Sequence, residues 1–170
     1  MTPPPTIRAA TAQDLPRVAE IYAPYVTDTV STFETEVPEL ATWHERYDAV
    51  LAAQLPFLVA ELDGRVCGYA YATPWKVRAA YRHTAETSIY LDPAAQGRGV
   101  GGALLDALVA GCAEAGRREL IAVIADSGSP ASPALHTTRG FVTAGRLRNV
   151  GLKHDRWIDT ILMQLSMDPG

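Results

Sequence analysis

The chain is poor in cysteine, with Cys67 and Cys112 as the only two among its 170 residues. They are far apart, neither belongs to a C-x-x-C pair, and both have apolar neighbours. This pattern predicts buried structural thiols rather than a disulfide framework. The histidines also lack metal-ligand spacing, so we expect no metal site. They are His44, His83, His136 and His154.

Long apolar runs and an excess of positive charge are also missing. No hydrophobic stretch approaches the roughly 20 residues that cross a bilayer. Residues 1–5 lack the basic and apolar regions of a signal peptide, and their three prolines predict a short extended tail. We therefore expect a cytoplasmic protein without a membrane partner. The net charge of −4 gives no overall attraction for nucleic acid, so any anionic ligand must be held by local dipoles and a few cations.

The hydrophobic pattern predicts one α/β domain covering residues 1–170, because neither a linker nor an internal repeat is visible. The order βααβββαβαββ indicates a mixed central sheet of about seven strands flanked by about four helices. The predicted strands cover about 6–10, 56–62, 65–73, 84–91, 120–125, 141–150 and 157–165. The first predicted helix follows a start signal at 11–14 and ends at about 26. The other predicted helices cover about 40–51, 101–115 (capped by Gly116) and 132–139.

A glycine-rich loop, Gln96–Gly102, stands between the predicted fourth strand and third helix. Such a loop leaves backbone N–H groups unpaired at the positive end of the helix dipole, and glycines let a ligand approach the backbone closely. The loop therefore predicts binding of a phosphate or pyrophosphate. An ordinary junction between loop and helix is the alternative, although one or two glycines would suffice for it.

Two kinds of phosphate-binding loop fit these residues. The pattern G-x-G-x-x-G, starting at Gly97, is typical of dinucleotide binding, with Asp126 after the next strand as a ribose-binding acid. Only one clear βαβ unit follows, however, and residues 92–96 separate the strand from the glycines where that turn should be tight. The pattern Q-x-x-G-x-G, starting at Gln96, resembles instead the acetyl-CoA loop of the GCN5-related N-acetyltransferase (GNAT) superfamily. In that superfamily the loop amides hold the CoA pyrophosphate.

Two further segments resemble the phosphinothricin and methionine sulfoximine N-acetyltransferases within this superfamily. They are Pro74–Tyr81, which reads P-W-K-V-R-A-A-Y, and Thr84–Leu91, which reads T-A-E-T-S-I-Y-L. The similarity covers about residues 6–167 and implies the single-domain acetyltransferase fold. The C-terminal part also resembles the end of that family, at residues 150–154, Trp157, Asp159, Met163 and Gln164.

The resemblance implies an N-acetyltransferase that uses acetyl-CoA as cosubstrate. The acetyl group would pass directly, in a ternary complex, to the amine of a small acidic amino-acid-like substrate such as phosphinothricin or methionine sulfoximine. A homodimer is implied as well, because the family is usually dimeric with its active site near the interface. Two alternatives stay open, namely another small amine as substrate and a nucleotide-binding regulatory module without catalysis. The implied cofactor-binding residues are Ile89, Tyr90, Leu91, Gly97, Arg98, Gly99, Val100, Gly101, Gly102 and Ser129.

Glu86 is the candidate general base. Acetyl transfer needs a neutral amine, and a carboxylate on the strand before the loop can take the proton directly or through water. The two-residue period of a strand puts Glu86, Ser88 and Tyr90 on one face. The resembled family has its proposed base at this position. An ion pair with Lys76 or Arg78 is the alternative interpretation.

Lys76, Arg78 and Tyr81 resemble the family's anchors for the acidic groups of the substrate. Two cations and a phenol suit a phosphinate or carboxylate, and arginine offers a bidentate fork. A solvated charged loop is the alternative. Phe33 matches a family position near the substrate, with a plain core aromatic as the alternative. The complete set of implied substrate-binding residues is Phe33, Lys76, Val77, Arg78, Tyr81, Glu86, Thr87 and Ser88.

His136 is the second candidate catalytic residue. Many members of the superfamily have a tyrosine there that donates to the sulfur of departing CoA, and the phosphinothricin branch has histidine, which can supply a proton near neutral pH. A histidine bonded to the backbone is the alternative.

Seven residues before His136, where the family usually has an asparagine that contacts pantetheine, this chain has Ser129. We expect Ser132 to be the N-cap of the next helix and Pro133 to be its first residue, because a proline at the fourth position would remove a hydrogen bond. This start leaves the contact of Ser129 open.

Overall fold

The computed structural model describes residues 3–167 as one seven-stranded sheet with four α-helices, which confirms the predicted fold class. Met1 and Thr2 of the predicted tail lie outside the described residues, and residues 3–5 have no regular secondary structure. The strands are β1 (Thr6–Ala9), β2 (Phe57–Leu62), β3 (Arg65–Pro74), β4 (Thr84–Leu91), β5 (Glu119–Ala125), β6 (Val142–Lys153) and β7 (Arg156–Ser166). The helices are α1 (Leu15–Asp28), α2 (Leu40–Ala52), α3 (Val100–Glu114) and α4 (Ala131–Thr137).

The strands lie in the order β1-β2-β3-β4-β5-β7-β6, and every neighbouring pair is antiparallel except β4 and β5. These two parallel strands pair only from Thr84 opposite Glu119 to Thr87 opposite Ala122. Both strands continue beyond these pairs and diverge. The backbone polar groups along their facing edges therefore lose their sheet partners and border a cleft.

Different helices cover the two faces of the sheet, as the alternation of side chains along a strand requires. On one face, Trp43 of α2 packs edge-on against Tyr22 of α1 and Tyr69 of β3. On the other face, α3 packs over the neighbouring Gly68, whose missing side chain leaves room for Leu104. The cleft is thus flanked by α1 on one side of the sheet and by α3 and α4 on the other.

Helix α3 begins at Val100, one residue before the predicted start, with Gly99 as its N-cap at φ +79°. It ends at Glu114, and Gly116 follows at φ +76°. Gly116 is therefore the left-handed C-terminal glycine that the sequence predicts. Gly101 lies inside the helix, so its backbone does not need a glycine for conformational reasons.

Helix α4 starts earlier and ends sooner than predicted, spanning Ala131–Thr137 instead of about 132–139. Pro133 occupies its third position, where a backbone N–H has no intrahelical acceptor in any case. The first intrahelical bond runs from the N–H of Ala134 to the carbonyl of Pro130, at 2.9 Å. The observed start therefore costs no hydrogen bond at Pro133, and the expectation that Pro133 is the first helical residue is wrong.

Strands β6 and β7 form a longer hairpin than predicted, reaching Lys153 on one side and Arg156 on the other. Their turn consists of His154 and Asp155, with φ +50° and +57°. Two consecutive left-handed residues are typical of a type I′ turn, which usually contains asparagine or glycine. The sequence gives no such signal here, and for this reason the end of the hairpin was not predicted.

The two cysteines are buried and free, which confirms their predicted structural character. Burial raises the pKa of the Cys112 thiol to about 12 and also raises the pKa of Cys67, so both stay protonated at neutral pH. Among residues 3–167, no helix has the length and apolar character needed to cross a membrane.

Candidate active site

A cleft of about 690 Å³ opens where β4 and β5 diverge. Its walls come from both strands, the glycine loop, α3, α4 and the loop after α1. Most of the predicted site residues line this cleft together: Phe33, Glu86, Thr87, Ser88, Ile89, Tyr90, Leu91, Gly97, Gly99, Gly101, Gly102, Ser129 and His136. The others lie outside it: Lys76, Val77, Arg78, Tyr81, Arg98 and Val100.

The glycine loop has the backbone of an anion cradle. Gly97 and Gly99 have φ +71° and +79°, and a Cβ at either position would meet no atom within 4 Å. The space beside them is therefore open to a ligand, and the N-terminus of α3 directs backbone N–H groups toward it. Gly101 differs, because a Cβ there would lie 3.3 Å from the side chain of Leu135. Its missing side chain serves the packing of α3 against α4.

Two residues of the predicted cofactor loop do not line the cleft. Val100 is 1% exposed and anchors the first turn of α3 in the core, so only its backbone can contribute to the cradle. Arg98 is exposed between Gly97 and Gly99. The predicted contacts of Val100 and Arg98 with the cosubstrate therefore remain predictions.

Lys76, Val77, Arg78 and Tyr81 lie together in a separate depression of about 430 Å³. The Nζ atom of Lys76 lies 4.6 Å from the ring centroid of Trp75, and Val77 is fully exposed. The structure thus keeps this cluster out of the cleft. Its predicted contact with the acidic groups of the substrate remains a prediction.

Glu86 is partly buried in the cleft wall and makes no ion pair or hydrogen bond with the residues that the structure describes. The alternative interpretation, an ion pair with Lys76 or Arg78, is therefore wrong. Burial raises the pKa of the Glu86 carboxyl, and the charge of Lys76 opposes this rise only in part. A carboxylate with a raised pKa accepts a proton more readily than an ordinary glutamate.

Residues of β5 and β7 extend the face of the sheet that carries Glu86. Glu86 lies opposite Ile121, so Val123 and Ala125 share its face by the two-residue period. Ala125 lies opposite Thr160 of β7, and all three of these additional residues line the cleft. Thr160 is 5% exposed, and its Oγ1 makes no hydrogen bond within residues 3–167. Sequence reasoning missed this wall because it depends on the register of three strands.

Phe33 lines the cleft from the loop between α1 and α2 and is 37% exposed, which a core aromatic would not be. Its ring packs on Gly151 of β6, where a Cβ would come within 2.5 Å of the ring Cζ. Lys153 donates from Nζ to the carbonyls of Thr32, at 2.7 Å, and Tyr25, at 3.3 Å. The buried Lys153 and the flat Gly151 together hold this loop on the hairpin.

His136 is 2% exposed and reaches the cleft from α4. Its Nδ1 donates to the carbonyl of Ser132 at 2.8 Å, because a carbonyl can only accept. Burial lowers the pKa of His136, so the ring is neutral at pH 7 and Nε2 is an acceptor. These contacts match the backbone-bonded interpretation. Donation to a departing sulfur would require a proton on Nε2, and it remains a prediction.

Ser129 lines the cleft just before α4, where its Oγ accepts the N–H of Ala131 at 3.3 Å. Its contact with the cosubstrate remains a prediction.

Asp126, the ribose-binding acid of the dinucleotide interpretation, makes its hydrogen bonds to other residues of the protein. Its carboxylate accepts from Arg146 at 2.8 Å and from the N–H of Gly128 at 3.1 Å, and these contacts lower its pKa.

Comparison with known proteins identifies the class to which this fold and cleft belong. Residues 7–162 match the family described as acetyltransferase (GNAT) domain. The match covers more than half of the chain, and the chain therefore belongs to the GNAT acetyltransferase family.

Relatives within this class are similar over nearly the whole chain. A phosphinothricin N-acetyltransferase of Alcaligenes faecalis is 47% identical over 165 residues, which cover 97% of this chain and 84% of the relative. An L-methionine sulfoximine/L-methionine sulfone acetyltransferase of Pseudomonas paraeruginosa is 36% identical, with 96% and 95% covered. The crystal structure of a phosphinothricin acetyltransferase of Sinorhizobium meliloti in complex with acetyl-CoA matches with a TM-score of 0.94 and 42% identity, covering 100% and 91%.

These findings decide between the interpretations of the glycine loop. The predicted membership in the GNAT superfamily and the predicted N-acetyltransferase activity are confirmed, and acetyl-CoA is confirmed as the cosubstrate of this fold. The dinucleotide-binding interpretation is wrong, because the sheet formed by residues 3–167 has only one parallel strand pair and the family match covers the loop.

Proposed function

We propose that the protein transfers the acetyl group of acetyl-CoA to the amine of a small acidic amino-acid-like substrate, with phosphinothricin or methionine sulfoximine as the leading candidates. One observation carries the proposal: a single cleft joins the glycine loop to Glu86 and Phe33. Its volume of about 690 Å³ suits a small-molecule site. Two relatives are named for acetylation of these compounds, which supports the substrate class.

The glycine loop and the free edge of β4 form the cosubstrate end of the cleft. The loop N–H groups suit the pyrophosphate, since Gly97 and Gly99 leave the space beside the backbone open. The edge of β4 from Ser88 to Leu91 offers backbone donors and acceptors to the pantetheine arm, because β5 no longer pairs with it. Bound acetyl-CoA supplies the activated acetyl group as a thioester.

Glu86 provides the proton chemistry at the other end. Its carboxylate accepts the proton that the incoming ammonium must lose, directly or through water, and the freed nitrogen lone pair then attacks the acetyl carbon. The C–S bond of the thioester breaks, and the CoA thiolate leaves and takes up the second proton, which the nitrogen loses as the amide forms. The raised pKa of Glu86 brings its proton affinity closer to that of the amine. Phe33 lines the same cleft, and we infer that its ring limits the size of the substrate there.

The cations Lys76 and Arg78 are the candidate ligands for an acidic group of the substrate. They line a depression of their own rather than the cleft, and this observation favours a second candidate function. In that case the protein acetylates another small amine, and the cluster is a solvated charged loop. The leading candidate function requires the bound substrate to reach both Glu86 in the cleft and the cations Lys76 and Arg78 in the depression.

A thiol-release assay with acetyl-CoA and a panel of amines separates these candidates. The panel contains amino acids, phosphinothricin, methionine sulfoximine, polyamines and aryl amines. We expect the highest kcat/KM for phosphinothricin or methionine sulfoximine. A clear preference for a polyamine or an aryl amine would contradict the substrate class, and calorimetric binding of NAD without binding of CoA would contradict the function itself.

We also propose that the protein is a homodimer. The edge strand β6 and its partner β7 expose a patch of apolar side chains, with Val150, Leu152 and Trp157 each more than half exposed. An unpaired edge with such a patch is typical of an interaction surface, and a second copy of the chain is the occupant that the family resemblance implies. Light scattering of the wild-type protein should give a dimer mass, and Trp157→Glu should give a monomer. A wild-type monomer at micromolar concentration would contradict this proposal.

The cytoplasm is the proposed location, because acetyl-CoA is available there as a cosubstrate. The two free thiols of Cys67 and Cys112 fit a reducing compartment. Cell fractionation with an antibody against the protein tests the location, and recovery outside the cytoplasmic fraction would contradict it.

A further inference from the structure

Arg139 is a cation in the cosubstrate half of the cleft that the mechanism above does not use. It follows the end of α4, and its side chain crosses to the first turn of α3, where it lines the cleft. A Cβ at Gly102 would overlap the Nη2 atom of Arg139 and would lie 2.8 Å from Cζ. The guanidinium group therefore occupies the space that a side chain at Gly102 would fill.

The contacts of Arg139 leave part of its guanidinium group free. Nε donates to Oδ1 of Asp106 at 3.2 Å, and Nη1 donates to Oγ1 of Thr138 at 2.8 Å. Nη2, which lies nearest Gly102, makes no hydrogen bond to the residues that the structure describes. An arginine has five N–H donors in a fixed plane, so several remain available to a ligand. The side chain is 29% exposed, which leaves it accessible from the cleft.

The electrostatic setting of Arg139 favours an anion beside it. The first turn of α3 is the positive end of a 15-residue helix dipole, and a guanidinium group there is repelled unless negative charge compensates. Asp106 compensates only in part, because its side chain is 61% exposed and solvent screens the pair. A phosphate in the cleft would be attracted by the cation and by the helix terminus together.

We propose that Arg139 binds a phosphate group of acetyl-CoA and completes the glycine cradle with a cationic fork. The identity of the ligand rests on the proposed function. A guanidinium group can donate two parallel hydrogen bonds to a phosphate and also carries a positive charge, whereas backbone N–H groups are neutral donors. The same geometry gives Gly102 a purpose, since its missing side chain admits the guanidinium group to the helix terminus.

Calorimetric titration with CoA tests this inference without any amine, so an error in the amine substrate cannot obscure the result. We expect Arg139→Met to raise the Kd for CoA about 5- to 30-fold, as for a charge-assisted hydrogen bond in a half-exposed site. The Kd of the variant should also depend less on salt concentration than that of the wild type. Asp106→Asn is the matched control, because it breaks the same ion pair and leaves the cation. Its Kd should be unchanged or lower.

Fragments of CoA identify the group that Arg139 binds. Pantetheine lacks all phosphates, so its affinity should not distinguish Arg139→Met from the wild type. With dephospho-CoA, a persisting difference assigns the pyrophosphate, and a lost difference assigns the 3′-phosphate. Equal losses of CoA affinity in Arg139→Met and Asp106→Asn, or an equal loss with pantetheine, would overturn the proposal. Arg139 would then only tie α4 to α3.

Arg139→Lys keeps the inference testable if the methionine variant melts at a much lower temperature. The lysine retains the charge without the planar fork, so we expect an affinity for CoA between those of the wild type and Arg139→Met. A lysine variant that binds CoA no better than the methionine variant would overturn the proposal. Absence of CoA binding to the wild type would contradict the proposed function instead.

Discussion

Partial burial raises the pKa of Glu86, because the carboxylate loses favourable hydration in the cleft wall and no cation contacts it to compensate for this loss. We expect Glu86→Gln to lower kcat about 10²–10⁴-fold at pH 7, the usual contribution of a general base. The loss should shrink as the pH rises, because more amine then arrives already neutral. A pH series of initial rates with saturating acetyl-CoA measures this. A loss that stays constant with pH would show that Glu86 has no base role.

The same raised pKa has a consequence for stability. Between the pKa of the unfolded chain, near 4.5, and the higher folded value, the unfolded state binds fewer protons, so stability falls as the pH rises through this window. Glutamine has no such penalty. We therefore expect Glu86→Gln to melt at the same or a higher temperature than the wild type at pH 7, with the difference vanishing below about pH 4.5. A lower melting temperature at pH 7 would indicate that the carboxylate stabilises the fold.

Gly99 and Gly116 offer a matched pair at the two ends of α3. Both have positive φ, +79° and +76°, and a Cβ at either would meet no atom within 4 Å. Alanine should thus cost both about 1 kcal/mol of strain. Only Gly99→Ala should also raise the KM for acetyl-CoA, because its Cβ would project into the cradle. Denaturant unfolding and steady-state kinetics of both variants check this, and equal KM values would show that the loop does not hold the cosubstrate.

At the level of secondary-structure elements, the hairpin β6–β7 sets the position of the loop that carries Phe33. Gly151→Ala should push the ring away, because the new Cβ would come within 2.5 Å of its Cζ. Gly145 of the same strand is the control, since a Cβ there meets nothing within 4 Å. We expect Gly151→Ala to change the KM of the amine several-fold while leaving the KM of acetyl-CoA within about twofold, and Gly145→Ala to change neither. Equal effects of both substitutions on the amine would remove Phe33 from the acceptor site.

The elements that local chemistry defines were predictable from the sequence, and those that tertiary contacts define were not. The strand Thr84–Leu91 and the C-terminal glycine Gly116 match their predictions, because periodicity and positive φ are local properties. The turn at His154 and Asp155 was missed, since these residues adopt positive φ without the usual glycine. The start of α4 was also missed, because a proline at the third helical position is tolerated as well as one at the first.

For the whole molecule, the sequence predicted most of the residues that meet in the cleft, but it did not predict the separate depression around Lys76. The glycine loop and Glu86 lie in one cleft because a single strand, β4, connects them. Thr160 and Arg139 were missed, since strand register and the path from α4 to α3 bring them there. The separation of the cluster around Lys76 was equally unpredictable, because the sequence does not specify where the loop after β3 turns.

The four backbone pairings between β4 and β5 have a mechanical consequence. They are the seam between two halves of the sheet, β1–β4 and β5–β7–β6, and the seam is open along the cleft. A ligand that contacts both edges acts as a clamp across it, so saturation with CoA should slow amide hydrogen exchange in Ser88–Leu91 and in residues 123–125. Mass spectrometry of exchange measures this, with β1 and β2 as internal references that should stay unchanged. Occupancy of the cleft would then decide whether the two halves of the sheet undergo local opening independently or together.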